Sequence, residues 1–144
     1  MNKTGKPLVM VVDAQGGGLG KQLISNIKRE IDDVCLIAIG TNTVATASML
    51  KAGADEAATG ENAVLVVSRR ADFIIGPIGM VIADAMLGEI TPAMASAIAG
   101  SNAMRIMIPF SNCDNYIAGV SDFSTSRLIQ DAVARLKKAL SNET

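Results

Sequence analysis

One stretch constrains the fold more than any other: Asp13-Ala14-Gln15-Gly16-Gly17-Gly18-Leu19-Gly20-Lys21. The run from Pro7 to Asp13 before it is apolar, as a parallel strand buried on both faces requires. Beyond it Leu19, Leu23, Ile24, Ile27 and Ile31 recur on one helical face, with Lys21, Lys28, Arg29 and Glu30 mostly opposite. A strand that feeds a helix through a glycine-rich turn opens a parallel α/β sheet. Glycines at 16, 17, 18 and 20 leave out the Cβ atoms that would hold a ligand away from the backbone. The helix start adds unpaired amides and the positive end of the helix dipole, so a phosphate or carboxylate is the expected occupant, with Lys21 as a candidate cation beside it. The competing reading is a tight turn that binds nothing.

The loop departs from three known fingerprints. The dinucleotide pattern G-x-G-x-x-G asks for a third glycine where Lys21 stands, and for an acidic residue about 20 positions on, where the chain reads Gly40-Thr41-Asn42. A standard NAD site is therefore disfavoured, although another nucleotide remains open. Gly18-Leu19-Gly20 looks like the short-chain dehydrogenase pattern, but the sole tyrosine, Tyr116, is followed four residues later by Val120 and not by the catalytic lysine. Against the P-loop spacing G-x-x-x-x-G-K-[ST], Gln15 stands at the first glycine and Gln22 at the magnesium-binding hydroxyl.

The rest of the chain alternates in the same way. Val34 to Ile39 is the second strand, and Thr41, Asn42 or Thr43 caps a helix to about Lys51, with Gly53 just past its end. Asp55 to Thr59 reads as a short strand, Glu61 to Arg70 as a crossover helix and Asp72 to Gly76 as a central strand. Gly76-Pro77-Ile78-Gly79 is a second glycine-rich loop, expected to open onto a helix from about Met80 to Leu87 that Gly88 ends. Glu89 and Thr91 are read as ending that helix and starting another, with Pro92 at its first position. Arg105 to Phe110 is the fifth strand, Tyr116 to Val120 a candidate sixth, and a last helix capped by Asp122 or Ser124 turns Leu128, Ile129, Val133, Leu136 and Leu140 inward.

The expected architecture is a three-layer, Rossmann-like, doubly wound parallel sheet in one domain, residues 1–144, with strand order 3-2-1-4-5-6. That order makes the first and fourth strands neighbours and sets loops 16–20 and 76–79 face to face at the switch point, where such folds bind ligands. The candidate ligand-binding residues are Asp13, Gln15, Gly16, Gly17, Gly18, Gly20, Lys21, Thr41, Asn42, Thr59, Glu61, Asn62, Gly76, Pro77 and Gly79. Asp13 either orients a hydroxyl, acts as a general base or holds magnesium through water, or else it fixes the loop by accepting its N–H groups. Glu61 is either an acid/base or the favourable acid in a helix's first turn. Cys113 is the one candidate nucleophile, with no histidine in the chain to activate it. Whether the chain catalyses anything is left open.

Composition bounds the partners. With 49% hydrophobic but only 3% aromatic residues, a net charge of −1 and no basic run, the chain has little with which to stack bases or neutralise a phosphate backbone, so nucleic-acid binding is excluded. No segment approaches the roughly 20 apolar residues of a membrane helix, and the apolar run after Met1 is too short for a signal sequence; no membrane association and a cytoplasmic location are expected. The absence of histidine removes the commonest metal ligand, and no metal is expected. Ala93 to Ala99 is small and apolar on nearly every face, with Met80, Met86 and Met94 nearby, which suggests a homodimer contact. The leading expectation is thus a protein that binds a nucleotide or another small phosphorylated or carboxylate ligand. The alternatives are a non-catalytic ligand sensor and a protein-interaction module acting as a homodimer.

Asp13-x-Gln15-Gly16-Gly17-Gly18, Gly40-Thr41-Asn42, Thr59-Gly60-Glu61-Asn62, Gly76-Pro77-Ile78-Gly79 and Gly88-Glu89-Ile90-Thr91-Pro92 together give the chain a family resemblance over essentially its whole length. It resembles a short bacterial family catalogued only as a domain of unknown function. That resemblance implies a Rossmann-like fold and a bacterial cytosolic protein, and brings no substrate with it.

Overall fold

The structure is a computed structural model that describes residues 5–109, 115–120 and 124–142. Its elements run β1 (Leu8–Asp13), α1 (Gly18–Glu30), β2 (Cys35–Gly40), α2 (Thr43–Lys51), β3 (Glu56–Thr59), α3 (Glu61–Arg70), β4 (Phe73–Pro77), a 3₁₀ turn (Ile78–Val81), α4 (Pro92–Ala99), β5 (Met104–Ile108) and α5 (Thr125–Ser141). All pairings are parallel, in the order β3-β2-β1-β4-β5. The Rossmann-like expectation holds, with five strands among the described residues.

The pleat of β1 divides the core in two. Val9 and Val11 pack with Leu36, Ala38, Phe73 and Ile75 under Leu23 and Ile27 of α1, Met49 of α2 and Val133 and Leu136 of α5. Leu8, Met10 and Val12 face the other way, with Ile37, Ile39 and Ile74, toward Val64 of α3 and Met94 and Ile98 of α4. Right-handed crossovers explain the division. The steps from β1 to β2 to β3 put α1 and α2 on one face, and the return across to β4 and β5 puts α3 and α4 on the other. Every residue of β1 is buried, which is why its sequence is continuously apolar and does not alternate.

Two sequence expectations are corrected. Tyr116 to Val120 is no strand: the Val120 N–H donates to the Ile117 carbonyl at 3.3 Å in a turn, Gly119 has φ 85°, and Tyr116 is 84% exposed. Nor is Met80 to Leu87 a helix. After the single 3₁₀ turn, Asp84, Met86, Leu87 and Gly88 take φ of 65°, 57°, 59° and 86°, which no right-handed helix contains. Tertiary anchors override helix propensity here. Met80 and Ile90 are both fully buried, and the chain between them doubles back so that the Asp84 N–H reaches the Ile90 carbonyl at 2.7 Å. Phe110, predicted to end β5, and Asp122, one of the two predicted caps of the last helix, lie outside the described residues. Ser124 caps α5 by accepting from the Arg127 N–H at 3.2 Å.

Candidate functional site

The C-terminal ends of β1, β2 and β4 meet at the switch point, and Asp13 closes the first of them. Its side chain is 5% exposed, with Oδ1 accepting from the Ala14 N–H at 2.8 Å and Oδ2 from the Gly20 N–H at 2.6 Å. Burial raises its carboxyl above the usual aspartate value; the two amides pull the other way, and the charge of Glu89 adds to the rise. The bonds Asp13 makes are those of a residue that fixes the shape of the glycine loop.

The four loop glycines have different reasons. Gly17, at φ 75°, is the left-handed residue that starts α1, and a Cβ there would lie 2.8 Å from Ala45 Cα. A Cβ on Gly20 would lie 2.9 Å from Asp13 Cβ and would also strike the Met49 side chain, so this glycine lets α1 sit close to β1 and α2. At Gly16 and Gly18 a Cβ would meet open space. Among the described residues, no acceptor takes the N–H groups of Gly16, Gly18 or Leu19. Lys21, in the same helical turn, is exposed.

From the end of β2, Asn42 caps α2, its Oδ1 accepting from the Ala45 N–H at 2.9 Å, while its Nδ2 donates to the Gln15 carbonyl at 2.9 Å. Thr41, Asn42 and Gln15 converge on a residue that the sequence reading took for a helix terminator. Glu89 Oε1 accepts from the Gln15 N–H at 2.8 Å, from Asn42 Nδ2 at 2.6 Å and from the Thr41 hydroxyl. Burial on its own would raise the Glu89 carboxyl, but the hydrogen bonds from Thr41, the Gln15 amide and Asn42 outweigh it and hold the group below the usual glutamate value. The available signal was its isolation, since Glu89 is the only acidic residue between Asp84 and Asp114. Its partners lie 47 to 74 positions away, so local periodicity could not find them.

The other predicted residues are less engaged. Thr59, at the end of β3, shares a 2.6 Å hydrogen bond with the Thr46 hydroxyl, and the Gly60 N–H donates to the Gly40 carbonyl at 2.9 Å. Glu61 and Asn62 are exposed in the first turn of α3. The segment 76–79 is not a loop as predicted. Gly76 and Pro77 are buried in β4, where a Cβ on Gly76 would strike the Val12 carbonyl, and Gly79 sits in the 3₁₀ turn under Met86. β4 and β1 are neighbours as expected, but Glu89 makes the link across the switch point. Cys113 lies outside the described residues.

A depression of about 500 Å³ lies at the opposite, N-terminal end of the strands, lined by Lys6, Lys28, Cys35 and Asp55 among others. Its Asp55 is used internally, accepting from Lys28 Nζ at 2.8 Å and from the Leu36 N–H at 2.9 Å. Among the described residues no three His, Cys, Asp or Glu side chains are grouped to hold a metal ion, and no helix is long and apolar enough to cross a membrane.

No curated protein matches the chain. Residues 8–141, with the whole switch point inside them, match the family described as Domain of unknown function (DUF3842), and the chain belongs to that family.

Proposed function

We propose that the crevice at the ends of β1 and β2 binds a small anionic metabolite, a nucleotide or another phosphorylated compound, in a cytoplasmic protein. One observation carries this reading: the N–H groups of Gly16, Gly18 and Leu19 stand without acceptors among the described residues, at the exposed start of a 13-residue helix where two glycines leave open space above the backbone. Amides at a helix start, reinforced by the dipole, suit an oxyanion. Lys21, exposed in the first turn of that helix, would add charge. The reading concerns binding, since Asp13 and Glu89 are both engaged by the chain's own donors.

The test is calorimetric titration of wild type and Gly18→Asp with ATP, ADP and inorganic pyrophosphate. The introduced aspartate would project into open space at a position without backbone strain, so the variant should keep the wild-type melting curve. Loss of binding in a folded variant supports the reading. Unchanged affinity in a folded Gly18→Asp, or no binding of any of the three by wild type and by a Glu89→Gln variant that lacks the charge beside the loop, overturns it.

A second reading, a homodimeric interaction or sensing module, is favoured by Leu87, fully exposed at the tip of the turn after β4, and by the exposed small residues Ala93 and Ala99 of α4. Sedimentation velocity of wild type and Leu87→Asp tests it. A dimer that the substitution dissociates supports the reading, and a wild-type monomer overturns it.

A further inference from the structure

Glu89 does for the crevice what a bound oxyanion would do. Three donors from two separate rims, the Gln15 N–H of the β1–α1 loop and the Thr41 and Asn42 side chains after β2, converge on its Oε1. These are three of the residues that the sequence singles out for ligand binding, and the chain's own carboxylate has taken them. The Gln15 amide is also the immediate neighbour of the unclaimed Gly16 amide, so a second anion over the loop would face the charge of Glu89 at close range.

Residues 82–89 belong to no helix or strand, and Asp84, Met86 and Leu87 hold left-handed backbone that side chains disfavour. Met80 and Ile90, both fully buried, anchor the two ends of this strap, and Ala85 and Met86 between them are half-buried against the core, so turning Glu89 outward must lift those two side chains while the ends stay in place. Leu87 at its tip is fully exposed and contributes nothing to holding it down.

We propose that Glu89 is a built-in competitor for the crevice: its carboxylate fills an oxyanion subsite made by Gln15, Thr41 and Asn42, and an entering ligand takes those donors with its own phosphoryl or carboxylate oxygen and turns the strap 82–89 outward. This rests on the reading of the crevice as an anion site. It adds that the resting protein is self-blocked and that the ligand carries an oxyanion able to replace a carboxylate.

The experiment uses inorganic pyrophosphate as the probe, with wild type and Glu89→Gln compared by calorimetry and by amide hydrogen exchange. Glutamine keeps an acceptor oxygen for the three donors and removes the charge. The expected results are at least tenfold tighter pyrophosphate binding by Glu89→Gln, and, in wild type, faster exchange of the 82–90 amides on adding pyrophosphate together with slower exchange of Gly16 to Leu19. Equal or weaker binding by Glu89→Gln overturns the competitor while leaving the anion site standing. Pyrophosphate binding to wild type with no change in exchange of 82–90 overturns it too, and needs no variant to fold. Binding by neither protein removes the anion reading and the competitor with it.

Discussion

Asn42 and Glu89, 47 residues apart in the chain, meet where Asn42 Nδ2 donates to Glu89 Oε1 at 2.6 Å. The same asparagine caps α2 through Oδ1 and reaches the Gln15 carbonyl through Nδ2. One side chain therefore sets the start of a helix, ties down the glycine loop and holds the strap that follows β4. Asparagine suits the position because it offers an acceptor and two donors at once, where aspartate offers acceptors alone.

Asn42→Asp separates these roles. It keeps an oxygen for the Ala45 N–H, a cap of equal quality, but turns an acceptor and a negative charge toward Glu89. Urea unfolding at neutral pH should show a loss of about 1–3 kcal/mol. In the double variant with Glu89→Gln part of that loss should return, as a coupling of about 1 kcal/mol. Strict additivity would show that the two side chains do not interact in solution.

The pH dependence of stability should carry the sign of Glu89. Its folded carboxyl lies below the ordinary value of 4.5, so its contribution is complete above 4.5 and is lost as pH falls through the lower folded value. Asp55 is also lowered: burial opposes the shift, but the Lys28 ammonium and the Leu36 amide prevail, and its contribution drains below 3.8 in the same sense. Asp13 runs the opposite way. Burial raises its carboxyl, so its ionised form is a cost that acidification relieves. As pH is lowered from about 6 to 3, urea midpoints should therefore fall less steeply in Glu89→Gln than in wild type. A steeper fall in the variant would contradict the hydrogen bonds assigned to Glu89.

The glycines should rank by the space around them. Gly17→Ala meets both a left-handed backbone and the Ala45 main chain, and Gly76→Ala meets the Val12 carbonyl; each should destabilise by more than about 1 kcal/mol. Gly18→Ala meets nothing and sits in helical backbone, so it should be neutral or stabilising by up to about 1 kcal/mol. Guanidinium denaturation of the three variants checks the order, and a Gly18→Ala that is the worst of them would refute this account of the loop.

Asp13→Asn replaces one of two acceptor oxygens by an NH₂ that must face either the Ala14 or the Gly20 amide. A buried donor set against a donor should cost about 1–3 kcal/mol, moderated by removal of a buried charge. Amide exchange should localise the effect to residues 14 to 20, and a variant as stable as wild type with unchanged exchange there would show that the carboxylate is not what fixes the loop.

Local pattern determined much of this protein. The continuous apolar run of β1 marked a strand buried on both faces, the 3.6-residue spacing of Leu23, Ile27 and Ile31 marked α1, Thr91 announced a helix start that its side chain does cap, and the caps of α2 and α5, Asn42 and Ser124, were each among the candidates the sequence offers. The alternation of these elements was enough for a parallel Rossmann-like sheet, because handedness and connection rules leave few ways to wind it. The tertiary structure decided what short-range chemistry could not encode. The stretch after Gly79 has the composition of a helix, yet the buried anchors Met80 and Ile90 force a doubled-back turn through left-handed residues. Gly76 carries the mark of a loop but is a glycine because Val12 passes close beside it in the neighbouring strand. Glu89 looks like a surface charge until its partners, 47 to 74 positions away, are folded around it. Each of these outcomes depends on contacts between segments distant in sequence, where neither helix propensity nor strand periodicity has a say.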